Sequence, residues 1–410
     1  MSCVGAVLLL LFTSASAQID QERAAQYFRE AAALCEREGG RIWGVSLCGP
    51  MVIADAKSQT IAANQPPPDA KRPAALGFAN AAMDWGGTRW TTLIWIGLPA
   101  NELDRGRLMV HELFHRVQPQ LGLFLNDQQA PHLDTPEGRY WMQLEWRALA
   151  KALESSGSAQ ASAIGDALAF RRARHAAFQG SAEIERVLEV NEGLAQYTGT
   201  VVVYPAGKDA EVNAAKQLAQ AEKNPTFVRT FPYPSGAGYG VLLDRTSPGW
   251  PRRFKPTDDL GQLLMTAARI EPAASADEAA ARYGGAELKI AEAKREEARQ
   301  IRVAELRKRF VEGPVLTLPA SNNNSFVTTG MTPIPDAGTV YPSFRATAEW
   351  GTLESEATLM APDRSKLTVP GPAKVEGSVI TGSGWTVKLS PGWIVRPGAR
   401  AGDFEVVRQQ

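Results

Sequence analysis

The chain has 410 residues, 44% of them hydrophobic and 21% charged, with 44 basic side chains against 44 acidic ones. That composition is ordinary for a globular protein and excludes disordered, collagenous and low-complexity chains. Zero net charge removes the electrostatic argument for a nucleic-acid binder, which needs a basic stripe to displace counterions from phosphates, and the length predicts two or three domains.

The run Val4 to Phe12 is apolar and is followed by the small-x-small triplet Ala15-Ser16-Ala17. This pattern predicts a secretory signal peptide over residues 1–17 with Gln18 as the mature N-terminus, although no Lys or Arg precedes the run. The run falls short of the roughly 20 apolar residues that cross a bilayer, and no later segment approaches that length. The expectation is a secreted or periplasmic protein without a membrane span. Cys3 leaves with the signal, and in an oxidising compartment Cys35 and Cys48 close a short loop; two buried thiols are the alternative. Two cysteines cannot build a zinc site alone, so a metal here needs histidines and carboxylates.

Helical spacing over 20–38 puts Ala24, Phe28, Ala31, Ala32 and Cys35 on one side, and Gly39-Gly40 ends the segment. Strands are predicted over Ile42–Ala54 and Gln59–Ala63, before the loop Pro66-Pro67-Pro68, and over Thr88–Leu98. These elements form an N-terminal part over 18–100. A helical catalytic region over 101–312 follows. Asn101 caps its first helix, Asp104 favours the positive end, and Pro119 stops it after Gln118. Further helices are predicted over 137–154, 160–178 and 181–199. Residues 277–312 are rich in Ala, Glu, Lys and Arg and read as one or two solvated helices, with a break at Gly284-Gly285. From Gly313, alternation replaces helical spacing and turn residues recur, which predicts a small sandwich-like all-β domain over 313–410. The fold class is α+β.

The informative stretch is His111-Glu112-Leu113-Phe114-His115, which holds two of the chain's four histidines. Positions i and i+4 share a helix face, so both imidazoles aim at one point. Glu112 lies beside them, where it can take a proton from a metal-bound water. Catalytic zinc takes a third protein ligand and leaves a fourth position open. Two carboxylates compete for that role. Glu192 shares a helix side with Leu188, Ala195 and Gly199, and Glu145 shares one with Met142, Ala148, Leu149 and Ala152. Both point inward, where a carboxylate needs a partner, and the other reading of each is a buried salt bridge to Arg171, Arg172 or Arg174. His132 and His175 read as surface or structural residues, and the tryptophans as core. The run Gly236-Ala237-Gly238-Tyr239-Gly240 lacks the Lys-Ser/Thr ending of a phosphate loop.

Three segments, His111 to His115, Asn191-Glu192-Gly193-Leu194-Ala195-Gln196-Tyr197 and Phe231-Pro232-Tyr233-Pro234-Ser235-Gly236, together resemble the gluzincin metallopeptidases of the aminopeptidase N and leukotriene hydrolase class. The resemblance is confined to residues 101–245 and departs from the family in spacing, with 76 residues between His115 and Glu192. It implies a zincin-like catalytic region and Glu192 as the third ligand, while Glu145 is nearer in sequence and stays open. It also implies that Tyr233 donates a hydrogen bond to the developing oxyanion, with Tyr239 and Tyr197 as weaker matches. The implied activity is that of an exported Zn2+-dependent metallopeptidase acting on peptides or proteins, with Glu112 as general base. A zinc hydrolase with a non-peptide substrate and a non-catalytic envelope or binding protein with a structural metal are the alternatives.

Overall fold

The computed structural model describes residues 18–409, apart from 125–128, 205–206, 322, 328–329 and 372–373. The expected signal peptide over 1–17 lies outside the described residues. Helix α1 (Gln21–Glu38) starts where the Asp20 carboxylate accepts the Arg23 amide and stops at Gly39, whose φ of 59° only glycine adopts freely. Its buried positions Ala24, Phe28, Ala31 and Cys35 follow the helical period, and Cys35 is disulfide-bonded to Cys48.

Strands β1 (Met51–Asp55), β2 (Thr60–Ala63), β3 (Ala81–Trp85) and β4 (Thr88–Ile94) form a four-stranded sheet ordered β2-β1-β4-β3, with only the β1–β4 pair parallel. The first expected strand is too long at its start. Residues 40–44 turn instead, with Gly40 and Gly44 at positive φ and the Gly44 amide bonded to the Gly40 carbonyl. Strand β3 escapes the pattern because its five residues carry no regular alternation of burial. It is held by a tight turn at Gly86-Gly87, both at positive φ, which is the hairpin conformation glycine supplies. The strand expected to reach Leu98 ends at Ile94, where residues 95–97 form a 3₁₀ turn.

Helix α2 (Glu102–Val117) begins with the Asn101 side chain accepting the Asp104 amide and gives way to a 3₁₀ turn containing Pro119. Its Met109, Val110, Leu113, Phe114 and Val117 are fully buried in the main core. Helices α3 (Pro136–Glu154), α4 (Gly157–Ala177) and α5 (Ser181–Leu188) follow. A π-helical turn over Glu189–Gly193 then joins α5 to α6 (Leu194–Val203), so the helix expected over 181–199 is continuous in path but not in winding. The lobe is completed by α7 (Lys208–Ala221), α8 (Pro232–Thr246), α9 (Leu260–Ala268), α10 (Ala276–Ala280) and α11 (Gly285–Arg307). The break lies at Gly284, with φ of 71°. Helix α11 is mostly exposed, but its buried Glu292 accepts Arg139 at 2.6 Å and Gln143 at 2.7 Å, which anchors it to α3.

Helix gives way to strand just past Gly313. The remaining strands are β5 (Val315–Pro319), β6 (Asn323–Ser325), β7 (Thr332–Ile334), β8 (Gly338–Ala348), β9 (Gly351–Met360), β10 (Lys366–Pro370), β11 (Lys374–Glu376), β12 (Val379–Gly382), β13 (Trp385–Leu389), β14 (Trp393–Pro397) and β15 (Phe404–Arg408). They form one 11-stranded sheet rather than the two separate sheets of a sandwich. Strand β9 explains the difference. It pairs with β8 along one edge, while its other edge pairs first with β13 and then with β10. The sheet therefore curls around a main core of its own, to which Leu316, Phe344, Trp350, Leu353, Val369 and Val387 contribute, while Ile334, Val340 and Leu359 form a second cluster with Phe310. Val228, from the segment before α8, also enters the sheet's main core. The protein is thus mixed α/β with a curled C-terminal sheet. No helix among the described residues is long and apolar enough to cross a membrane.

Candidate metal centre

His111 and His115 lie one turn apart on α2, with their Nε2 atoms 3.0 Å from each other and their rings at 79°. Glu192 comes from the π-helical turn, and its Oε2 stands 3.3 Å from His111 Nε2 and 3.4 Å from His115 Nε2. The three ligand atoms all lie within 4.8 Å of one another. A π turn widens the helix by one residue and often marks a functional position. Here it turns Glu192 toward α2. Gln118 holds the turn from across the interface, donating from Nε2 to the carbonyls of Val190 at 2.9 Å and Asn191 at 3.1 Å.

The donor set fits a cation. Two imidazole nitrogens and an acceptor-only carboxylate converge, and they cannot satisfy one another without a shared proton or a metal. Without a metal, a proton fills that place. Burial opposes a charged His115, but the Glu192 carboxylate prevails and raises it to about 9. Gln118 also accepts from His115 Nδ1 at 2.8 Å, which leaves the Nε2 lone pair for a ligand. His111 Nδ1 is buried without a hydrogen-bond partner among the described residues. His111, His115 and Glu192 could together hold a metal ion.

Glu112 lies between the two histidines and is buried, with Oε2 unpartnered among the described residues. Burial pushes its carboxyl up; His111 and His115 pull it down, and Glu192 pushes it up further. Its main-chain carbonyl accepts Thr91 Oγ1 at 3.4 Å, which ties α2 to β4. Tyr233 stacks on His111 with ring centres 5.5 Å apart and planes within 7°. Burial and the adjacent Glu192 carboxylate hold its phenol well above the ordinary range, so it stays a neutral donor. A glycine pair sets this approach. A Cβ on Gly236 would lie 2.2 Å from Gly193 Cα, so α8 reaches the π turn only because both positions lack one.

The other candidates go elsewhere. Glu145 is fully buried in an ion network, with Oε2 2.6 Å from Arg174 Nη1 and Oε1 accepting Tyr239 OH at 2.7 Å. Arg171 joins it, bonding Glu189 at 2.7 Å and 2.9 Å and standing 3.4 Å from Glu145. Arg172 instead donates to the Ala273 carbonyl. His132 and His175 both face Glu185, at 2.7 Å and 2.9 Å. Burial alone would raise Glu185, but Arg174, His132 and His175 hold it well below the usual carboxylate range. Tyr197 donates to Asp244 at 2.7 Å, and the Gly236–Gly240 run is helical, inside α8.

Sequence reading missed Gln118. Its only local signal is its place three residues beyond His115, just before a helix-stopping proline. Tyr233 also borders a cavity of about 750 Å³ between α2, α6 and α7. No family model, curated protein or solved structure matches this chain.

Proposed function

We propose that this chain is an exported zinc-dependent metallopeptidase with a zincin-like catalytic lobe. The observation that carries this reading is the convergence of His111, His115 and Glu192 beside a buried, unpartnered Glu112 carboxylate. Two nitrogens and one oxygen, with no fourth protein ligand among the described residues, match the donor set of a catalytic zinc rather than a closed structural one. When bound, zinc supplies Lewis acidity and lowers the pKa of a coordinated water.

The chain's own groups do the rest. Glu112 takes a proton from the attacking water and passes it to the leaving amine, a role that its raised pKa suits. Tyr233 donates a hydrogen bond to the oxyanion that forms at the scissile carbonyl. Gln118 keeps His115 in the ligating tautomer. The Cys35–Cys48 disulfide agrees with export to an oxidising compartment.

The test is Glu112→Gln, which retains the shape and loses the base. It should bind zinc like the parent and lose about 10²–10⁴-fold in turnover of a peptide library, the usual contribution of a general base. Turnover within a few-fold of the parent would remove Glu112 from the mechanism.

A further inference from the structure

A wall of the cavity that Tyr233 borders is built from amide side chains whose polar atoms each have a fixed sense. Gln196 lies on α6 four residues after Glu192, and its side chain lines the same cavity as Tyr233. Thr200 stands behind it on the next turn of α6, and Asn213 and Gln217 face it from α7.

The direction of this relay is set by Thr200. Its Oγ1 donates to the Gln196 main-chain carbonyl at 2.8 Å, so the hydroxyl hydrogen is committed and the oxygen can only accept. It accepts Gln217 Nε2 at 3.0 Å, and the same nitrogen donates to Asn213 Oδ1 at 2.7 Å. Both Gln217 N–H groups are thereby spent, and its Oε1 accepts Gln196 Nε2. The order cannot reverse, because a turned Gln217 amide would set its oxygen against a hydroxyl with no hydrogen to give. Gln196 is therefore held with its Oε1 outermost, and among the described residues no hydrogen bond reaches that oxygen.

We propose that Gln196 binds the substrate main chain, its side-chain carbonyl accepting a peptide N–H close to the bond that is cleaved. The inference rests on the metallopeptidase reading above and adds the group that aligns the chain. Four residues of helix rise about 6 Å, and an extended peptide advances about 3.4 Å per residue, so the accepted N–H lies about one or two residues from the scissile bond. An acceptor already fixed by its own relay needs no reorganisation when the N–H arrives. A substrate lacking that N–H leaves the oxygen unpaired, which is how a polar site rejects an analogue.

The experiment uses the zinc-loaded full chain and an alanine-rich peptide cut at a mapped amide bond. Main-chain N–H groups away from that bond are replaced one at a time by an ester oxygen, and mass spectrometry follows cleavage at the same bond. One replacement, within about two residues of the bond, should lower kcat/KM by about ten-fold. In Gln196→Leu the all-amide peptide should lose the same factor, and the ester at that position should cost nothing more. If Gln196→Leu slows all peptides alike and keeps the amide-to-ester ratio, its role is structural and the proposal is overturned. Thr200→Val keeps the shape and lets the relay turn over, so the ratio should fall there too with zinc content unchanged; a ratio equal to the parent's overturns the proposal. Equal cleavage of every ester variant by the parent also overturns it, while leaving the metallopeptidase reading standing. If no peptide is cleaved, that reading falls, and binding of the same labelled peptides to the zinc-loaded Glu112→Gln chain decides Gln196 separately. Weaker binding of one ester, abolished when Gln196→Leu is added, supports the contact, and equal binding of all overturns it.

Discussion

The π-helical turn Glu189–Gly193 supplies one carboxylate to each of two polar clusters, and the two are built to opposite ends. Glu189 meets the Arg171 guanidinium in a two-bond pair, within a network that also holds Glu145, Glu185, Asp259 and Arg174. Glu192, three residues on, meets among the described residues the ring nitrogens of His111 and His115 and the phenol of Tyr233. A guanidinium is permanently charged, so the first cluster carries its counter-charge in its own side chains. An imidazole is neutral once deprotonated, so the second cluster is completed only by a proton or a cation. Glu189 is fully buried and Glu192 half-buried. What separates the structural carboxylate from the candidate ligand here is the identity of the base that faces it.

The sharpest way to break this contrast is to remove one acid from each cluster. Glu192→Ala should weaken metal binding by well over the 10–100-fold typical of residues that only support ligands. Glu145→Ala should bind metal like the parent but lose about 1–3 kcal/mol of stability, because Arg174 Nη1 and the Tyr239 hydroxyl lose a buried partner while Arg174 keeps its two bonds to Glu185. Metal titration with chemical denaturation of both variants distinguishes the outcomes. The reverse pattern would move the third ligand to Glu145.

Next in size is Gln118→Ala, which removes both the acceptor for His115 and the donors that hold the π turn. Metal affinity should fall by about 10–100-fold. Gln118→Glu restores the acceptor alone, so recovery of affinity in that variant assigns the effect to His115 rather than to the turn. Gly236→Ala tests the backbone approach that both clusters share. Its Cβ has no room against Gly193, and about 1–3 kcal/mol of stability should be lost as α8 shifts. Turnover should fall with zinc content unchanged, as Tyr233 moves away.

The smallest effect is in the pH dependence of stability. The folded-state pKa of Glu185 lies well below its ordinary 4.5, so its stabilisation is complete above that value and is lost as the pH falls below it. Glu189 has the opposite sign. Burial pushes it up to about 7 against the pull of Arg171, with Asp259 and Glu185 adding to the rise. The folded chain therefore holds a proton between pH 4.5 and 7 that the unfolded chain releases, and stability declines as the pH climbs through that window. In a Tm scan, Glu185→Gln should flatten the acid limb and Glu189→Gln the limb above it.

Much of the site was legible in the sequence because its rules are local. The i, i+4 histidines need only the helical period, and the Asn101 cap and Pro119 stop set that helix's length through hydrogen bonds and sterics within a few residues. The inward side of Glu192 and the small residue beside it were also readable, and Gly193 is where α8 makes its closest approach. The break at Gly284 followed from glycine's access to positive φ.

What local rules could not supply came from groups far apart in the chain. The π turn is held by Gln118 from 72 residues away, so neither the widened helix nor the aim of Glu192 is encoded in its own segment. Glu145 and Glu192 share the same inward periodicity, and only packing decided that Arg174 would face one and two imidazoles the other. The C-terminal strands were visible as alternation, but alternation does not say which edge pairs with which. One sheet formed instead of two because β9 takes partners along both edges, a choice made by register and shared core across the whole domain. Sequence by itself thus determined the chemistry on offer, since ligand types and helical spacing are local properties. Tertiary structure decided which groups meet, since burial satisfies each polar atom only with what the folded chain brings to it.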